Sequence, residues 1–415
     1  MHRLGRTGLR AMAVLALGAV VAACGASGAN STGKVGKVTM AVLGPLSGSF
    51  AFVGQWIVYG GQAGVYEVNH NGGVLGQKIN TIEADTAGDP VDAVPAWNRL
   101  EAQHPTFEIG PTALTVEAVL KLYDPAHLPD FTIAGSTELD NMNESYVYRT
   151  GPSDSTLAKA MAAYAIHKHL DRALLIFDNG VSSQTLVPPL EQGYKDHGGK
   201  IVANLALTPD QTSYLSELSQ AFSQNPNCIL MQLGPKTSAT VFADLRELGH
   251  LNLPVIDTDN GTNIAVAQGM GLSTASQLLT GMQAATPSGP AFQQFLSVYK
   301  TVHGTANYLP SSPSVYDGVV IAALAMTLAH STDPTVWNKD VLKVSNPPGV
   351  QCYTYPSCVK LIKEGKKINY QGASGPEDFN QYHNSFGSGW TVVKWTTSGT
   401  LVPVYTVPPS VIAQY

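Results

Sequence analysis

Charge is scarce in this chain of 415 residues: Asp, Glu, Lys and Arg make up only 13% of it, with 24 basic against 30 acidic side chains. No basic block occurs, so the electrostatic footprint of a nucleic-acid binder is missing and no nucleic-acid partner is expected. Cysteine is nearly absent, with four in the whole chain, and no His or Cys stands at zinc-ligand spacing. The common catalytic patterns are missing as well: there is no His-Glu-x-x-His, no Gly-x-Ser-x-Gly elbow and no Cys/His pair in a suitable context. These absences describe a protein that is not an enzyme and needs no metal or cofactor. What is present is core material, since 44% of the residues are hydrophobic. That fraction excludes a disordered chain, and the length suits two domains better than one.

The N-terminus has the order of an export signal. Arg3, Arg6 and Arg10 precede a mostly apolar stretch of thirteen residues, 11–23, well short of the roughly 20 that span a bilayer. Val21-Ala-Ala-Cys24-Gly25 then resembles the lipobox of bacterial lipoproteins, in which the cysteine carries the lipid. The alternative is an ordinary secretory signal that contains a cysteine by chance. Lipidation at Cys24 implies attachment to the outer face of the cell membrane, because a diacylglyceryl group supplies more than one acyl chain. No later segment is expected to approach a membrane span. Cys352 and Cys358 enclose five residues in a turn-rich stretch, which in an oxidising compartment suits a disulfide worth about 2 kcal/mol on the chain-entropy model. Cys228 lies in an apolar run and is expected as a buried free thiol.

Residues 24–37 are rich in Gly and Ser and read as a flexible stalk. Gly28-Ala-Asn-Ser-Thr-Gly33-Lys34 within it matches a phosphate loop by letters only. No strand precedes it, and Val35 stands where Ser or Thr is required. From Val38 onward, short β-rich runs alternate with helical periods: strand 38–43, helix 54–68, strand 80–83, helix from 91, strand 107–110, helix 116–123 and strand 131–134. The alternation restarts with helix 155–168 and continues through strand 173–177, helix 184–197, strand 200–206, helix 213–223, strand 228–233, helix 237–248 and strand 254–257. Such a pattern predicts parallel sheets with helices on both faces, with ligands at the carboxyl ends of the strands.

The order of the strand-to-helix loops resembles the type I periplasmic solute-binding proteins of ABC transporters, particularly the leucine/isoleucine/valine-binding branch. The matching stretches include Gly44-Pro-Leu-Ser-Gly48 with Gly54, Asp85 with Asp89-Pro90, Ile109-Gly-Pro111, Arg149-Thr150 with Asp154, and Tyr370-Gln-Gly-Ala-Ser-Gly-Pro376. Each is weak alone; their order and spacing from 38 to about 380 make the set specific. The resemblance implies an α/β fold of two Rossmann-like lobes with parallel sheets joined by three crossovers, closing on a small-molecule ligand by a hinge. The expected division is 1–23 signal peptide, 24–37 stalk, 38–154 with 286–371 as the first lobe, and 155–285 with 372–415 as the second. An ABC permease is the implied partner of a monomeric, membrane-tethered receptor. A sensor signalling to a membrane partner is the alternative, although such a domain is usually fused to an output module.

Carried over residue by residue, the resemblance places Ser136 and Thr137 in the loop that grips a carboxylate, with Thr112 or Thr115 as a further donor. Helix capping is the competing role for the two threonines. Asp259 falls where the family places an acid for the ligand's amino group, and strand alternation would set Asp257 on the same face. An Asp-rich turn facing water is the competing reading. Where the family often has aromatic walls, this chain has Val53 beside Phe52, Ser182 and Gly234. The pocket is therefore reshaped and branched-chain amino acids are in doubt. Phe52 and Tyr316 remain as apolar contacts, Tyr316 with a core role as its alternative.

Overall fold

The computed structural model describes residues 34–285, 288–385 and 389–415. The signal segment, Cys24 and the stalk as far as Gly33 lie outside the described residues. The sequence extends the stalk to residue 37, but the backbone is already held before that point. Thr332 N–H donates to the Lys34 carbonyl at 3.0 Å, and Gly36 N–H donates to the Thr332 hydroxyl at 2.8 Å.

Five strands form a wholly parallel sheet: β1 Val38–Gly44, β2 Ile79–Asp85, β3 Phe107–Ile109, β4 Asp130–Thr132 and β5 Val147–Arg149, in the order β2-β1-β3-β4-β5. Alternation along β1 covers both of its faces. Val38, Met40 and Val42 enter one core, which includes residues of the helices Ala51–His70 and Ser312–Ala329, while Ala41 and Leu43 enter the opposite core with Trp97 and Tyr123.

The second sheet repeats the plan with β6 Arg172–Asp178, β7 Lys200–Leu207, β8 Cys228–Gln232, β9 Val255–Asp257 and β10 Leu279–Ala284. In β6, Ala173, Leu175 and Phe177 pack on one face, Leu174 and Ile176 on the other. Two short strands, β11 Val350–Cys352 and β12 Ile368–Tyr370, pair separately. Then β13 Trp390–Trp395 and β14 Leu401–Val407 complete the second sheet, in the order β14-β13-β10-β9-β8-β6-β7. These last two strands run antiparallel, a departure from the parallel sheet read from the sequence. The short connection from Trp395 to Leu401 permits only a hairpin. The chain passes between the two large sheets after β5, after β10 and between β12 and β13.

The helix Ser312–Ala329 corrects another expectation. By length and composition it is apolar enough to cross a membrane, yet 89% of it is buried inside the protein. It packs against the helix Ala51–His70, where Gly60 and Gly64 leave room for the side chains of Val315 and Val319. Tyr316, at 1% exposure beside Phe295, is core rather than ligand contact. Cys352 and Cys358 are disulfide-bonded, and the buried Cys228 thiol lies 3.6 Å from the Tyr194 hydroxyl.

Glu108 and Asp130 are register partners on β3 and β4, both wholly buried, with the Tyr123 hydroxyl donating to Glu108 at 2.5 Å. Burial pushes the Glu108 carboxyl from its ordinary 4.5 up to about 8, and burial followed by the Glu108 charge raises Asp130 as well. The native state therefore holds protons that the unfolded chain releases, so these acids stabilise at low pH and that stability is lost as pH rises from 4.5 towards 8. Asp130→Asn is expected to raise the melting temperature at pH 8 and to flatten its decline between pH 5 and 8. A variant with the wild-type pH slope would contradict this account.

Candidate functional site

The loops leaving the carboxyl ends of β1, β3 and β4 lie side by side because those strands are neighbours. Asp85 closes β2 and accepts N–H bonds from Leu46 at 2.8 Å, Ser47 at 3.2 Å and Ala87 at 2.7 Å. Although burial opposes it, the Ser47 hydroxyl and then these N–H bonds hold the Asp85 carboxyl below its ordinary range. Gly54 lets the start of the next helix rest on this loop, since a Cβ there would lie 2.1 Å from the Pro45 carbonyl oxygen. Phe52 and Val53, on the helix's first turn, are half-buried. Phe52 forms an edge-to-face pair with Trp56 at 5.6 Å and lies 6.3 Å from Phe50. Phe52 thus belongs to a small aromatic cluster in which Trp56 joins it by helical i,i+4 spacing.

Thr112 and Thr115 are 4% and 1% exposed, and neither hydroxyl has a hydrogen-bond partner. Thr115 occupies the N-cap position of the short helix Val116–Val119 without a side-chain capping bond. Capping therefore does not occupy either group, and buried hydroxyls left in this state are costly unless a ligand completes them. Ser136 is buried and donates to Glu117 Oε1 at 3.1 Å, while Thr137 beside it is half-buried.

Arg149, at 2% exposure, aims this loop. Its Nη1 donates to the Gly135 carbonyl at 3.3 Å and the Ser136 carbonyl at 3.0 Å, and its Nη2 to Asp140 at 2.5 Å. Asp140 also accepts the Ser153 hydroxyl at 2.6 Å and the Ser155 hydroxyl at 2.5 Å, which fixes the start of the helix Asp154–His167. Asp154 N–H donates to Gly135 at 2.7 Å, and a Cβ on Gly135 would lie only 2.0 Å from Asp154 Oδ1. The half-buried Asp154 carboxyl is thereby placed against the loop at Gly135 and Ser136.

On the second sheet, the same helix packs against β9. Asp257 ends β9 wholly buried, with Oδ1 accepting Thr258 N–H at 2.8 Å and Oδ2 without a partner. The strand stops there, so the expected alternation does not hold. Asp259 instead opens a 3-10 turn, Asp259–Thr262, and is half-buried rather than fully exposed to water. Asn260 donates to the Leu233 carbonyl at 3.3 Å, joining this turn to the loop that carries Gly234. Gly234 faces open space, and Ser182 is half-buried in the short helix Val181–Gln184 that follows β6. No direct contact joins Ser182 or Gly234 to the other site residues among the described bonds.

The electrostatics converge on the acids. Burial, then the nearby Asp259 charge, pushes Asp154 up to about 7 against the pull of Arg149. Burial raises Asp259 and Asp257 as well, and the Asp259 charge adds to the rise at Asp257. Asp154 was outside the residues singled out as ligands; only its place in the Arg149-Thr150 motif signalled it. A half-open hollow of about 370 Å³ near 142–145 and 381–383 contains none of the candidate residues.

Two sandwiched sheets, three crossings and polar loops gathered at the strand ends define a two-lobed α/β binding protein. The chain belongs to the periplasmic binding protein family, whose model matches residues 37–400. Among its relatives, the Leu/Ile/Val-binding protein BraC3 of Rhizobium johnstonii is 24% identical over 371 residues, covering 86% of this chain and 91% of that one. The fold matches the leucine binding protein LivK of Thermotoga maritima with a TM-score of 0.75 at 20% identity, over 90% of this chain and 99% of that one. It also matches a solute-binding protein from R. palustris in complex with benzoate, with a TM-score of 0.71 at 14% identity, over 90% and 97% of the two chains.

Arg149→Met is expected to cost about 3–5 kcal/mol, the range for breaking a buried ion pair from one side. Urea unfolding measures it, and a loss under about 1 kcal/mol would show that the pair does not hold the loop.

Proposed function

We propose that this chain is an extracytoplasmic solute-binding lipoprotein of an ABC importer, tethered through Cys24 and capturing a small polar solute between two lobes by hinge closure. The observation that carries this reading is the place of Asp154 at the first crossing: its helix packs on the second sheet, its carboxyl lies against Gly135 in the loop after β4, and the Asp259 charge acts on it. The unpartnered, buried hydroxyls of Thr112 and Thr115 supply the matching need for a ligand. The lobes follow the division read from the sequence, with one adjustment at the third crossing. Ser374 and Phe379 N–H groups bond Asp317 and Asn346, and Ser385 N–H bonds Arg149, so 372–385 travels with the first lobe.

The solute class is an amino acid, an amide, or a related amine or carboxylate. Leucine and benzoate in the names of structural relatives show how widely solutes vary over one fold, so neither is transferred. Phe52, Val53, Thr112, Thr115, Ser136, Thr137, Ser182, Gly234 and Asp259 line the binding region in this reading, with Asp154 and Trp56 added. The permease takes the solute from a monomeric receptor that performs no catalysis. Signalling to a membrane partner is the alternative use of the same cleft.

A thermal-shift screen of amino acids, amides, polyols and aromatic acids is expected to raise the melting temperature for one class, as linkage requires. For an amine ligand, Asp259→Ala should abolish that shift. A shift that survives the substitution removes Asp259 from the site, and no shift from any class counts against solute binding.

A further inference from the structure

The third crossing begins with a tight turn wrapped around one buried carboxylate. Gly372 N–H donates to the Gly375 carbonyl at 2.8 Å, and a Cβ on Gly372 would lie only 2.5 Å from Asp317 Oδ2. Asp317, on the helix Ser312–Ala329, takes the Tyr370 hydroxyl at 2.7 Å and Ala373 N–H at 2.8 Å on Oδ1. Its Oδ2 takes Ser374 N–H at 2.7 Å and the Ser374 hydroxyl at 2.5 Å. The same Ser374 oxygen lies 2.6 Å from Oε1 of Glu377, which is 1% exposed. Each of these two oxygen–oxygen contacts has hydrogen-bond length and needs a hydrogen of its own, but a hydroxyl carries only one. At least one carboxyl therefore supplies the other.

Asp317 is the poorer holder of that hydrogen, because four donors already point at it. Burial raises its carboxyl only to about 6 against their pull. Glu377 has no such set: burial, then the Asp317 charge, pushes it well above its ordinary range against the pull of the Ser374 and Ser385 hydroxyls. Asp317, Asp378 and the Tyr370 phenol are the titratable groups around it, and none of them is a cation. Among the described residues, no Lys, Arg or His forms an ion pair with Glu377 or Asp317. A second anion here would be buried beside the first with no countercharge. We propose that Glu377 is kept protonated at neutral pH and acts as a latch: its Oε1–H donates to Ser374 Oγ, Ser374 donates to Asp317, and loss of the proton at alkaline pH frees the turn from Asp317. This stretch leads from β12 to β13 of the second sheet, so the latch sets how firmly the third crossing is fastened to the first lobe. It does so whatever the cleft holds.

Hydrogen exchange of the full chain between pH 6 and pH 9, corrected for the intrinsic rate, tests this without a solute, because the Ala373 and Ser374 N–H groups are themselves bonded to Asp317. Linkage fixes the sign: a carboxyl raised in the folded state stabilises at low pH, and that stability is lost as pH rises above 4.5. Protection at 372–379 is expected to fall at least tenfold over this range in the wild type. Glu377→Gln, whose amide still donates to Ser374 and cannot ionise, should hold its protection at pH 9 within threefold of its pH 6 value. A wild-type profile without the fall, or a Glu377→Gln profile that falls like the wild type, overturns the inference. Should that variant not fold, Glu377→Leu, which also has no proton to lose, takes its place with the same two outcomes.

Discussion

Arg149 closes β5 at 2% exposure, where its donors have no water to meet them. The fold meets Nη1 and Nη2 with Asp140 and the carbonyls of Gly135 and Ser136, so the side chain grips the loop after β4, while Nε is left without a partner. Its backbone is used as well: Arg149 N–H donates to the His383 carbonyl at 2.9 Å, and Ser385 N–H returns to the Arg149 carbonyl at 3.0 Å. Asp140 completes the knot by holding Ser153 and Ser155 ahead of and within the first turn that carries Asp154. Such a pair is a poor source of net stability, because two charges must be desolvated to make it. What it does well is register. One residue sets the distance between the loop at Gly135 and Ser136, the start of the first crossing and the strand of chain returning in the third.

The contrast among the buried acids shows which of them are finished by the protein. Asp317 receives the Tyr370 hydroxyl at 2.7 Å, the N–H groups of Ala373 and Ser374 at 2.8 and 2.7 Å, and the Ser374 hydroxyl at 2.5 Å. Asp85 receives three N–H bonds. Both hold backbone in place and have little left to offer. Asp257 keeps an unpartnered oxygen, and burial followed by the Asp259 charge raises the cost of ionising Asp154. Completion is uneven among the buried acids: Asp317 and Asp85 are fully engaged, while Glu108, Asp130 and Asp257 keep oxygens without a partner among the described residues. The relatives share the scaffold; what each captures is decided by how such loops are completed.

Much of the scaffold was legible because strand and helix periods are local. Alternation in β1 and β6 follows from residues two apart, and the N-caps Asp89 and Ser153 mark helix starts one residue before them. The legible part ended where distant residues decide the outcome. Residues 34–36 read as stalk by composition, and only the loop at Thr332 pins them. The helix Ser312–Ala329 has the composition of a membrane span and is buried by a partner helix some 250 positions earlier, an environment its own letters do not contain. The hairpin of β13 and β14 finds its place only by pairing with β10.

The site divides in the same way. Loop order along the chain was enough to assign the family and to single out Thr112, Thr115, Ser136, Thr137 and Asp259, because each follows a strand whose end must face the crevice. Sequence alone determined the alternation, the two series of βα units and the chemical types available at the strand ends. Tertiary structure decided that Asp257 is buried at the end of β9, that Trp56 joins Phe52, and that Asp154 lies against Gly135 where the Asp259 charge is felt. Periodicity is set by neighbours two to four residues apart, whereas the charge felt by a carboxyl is set by whatever the fold brings near it and by the water it takes away.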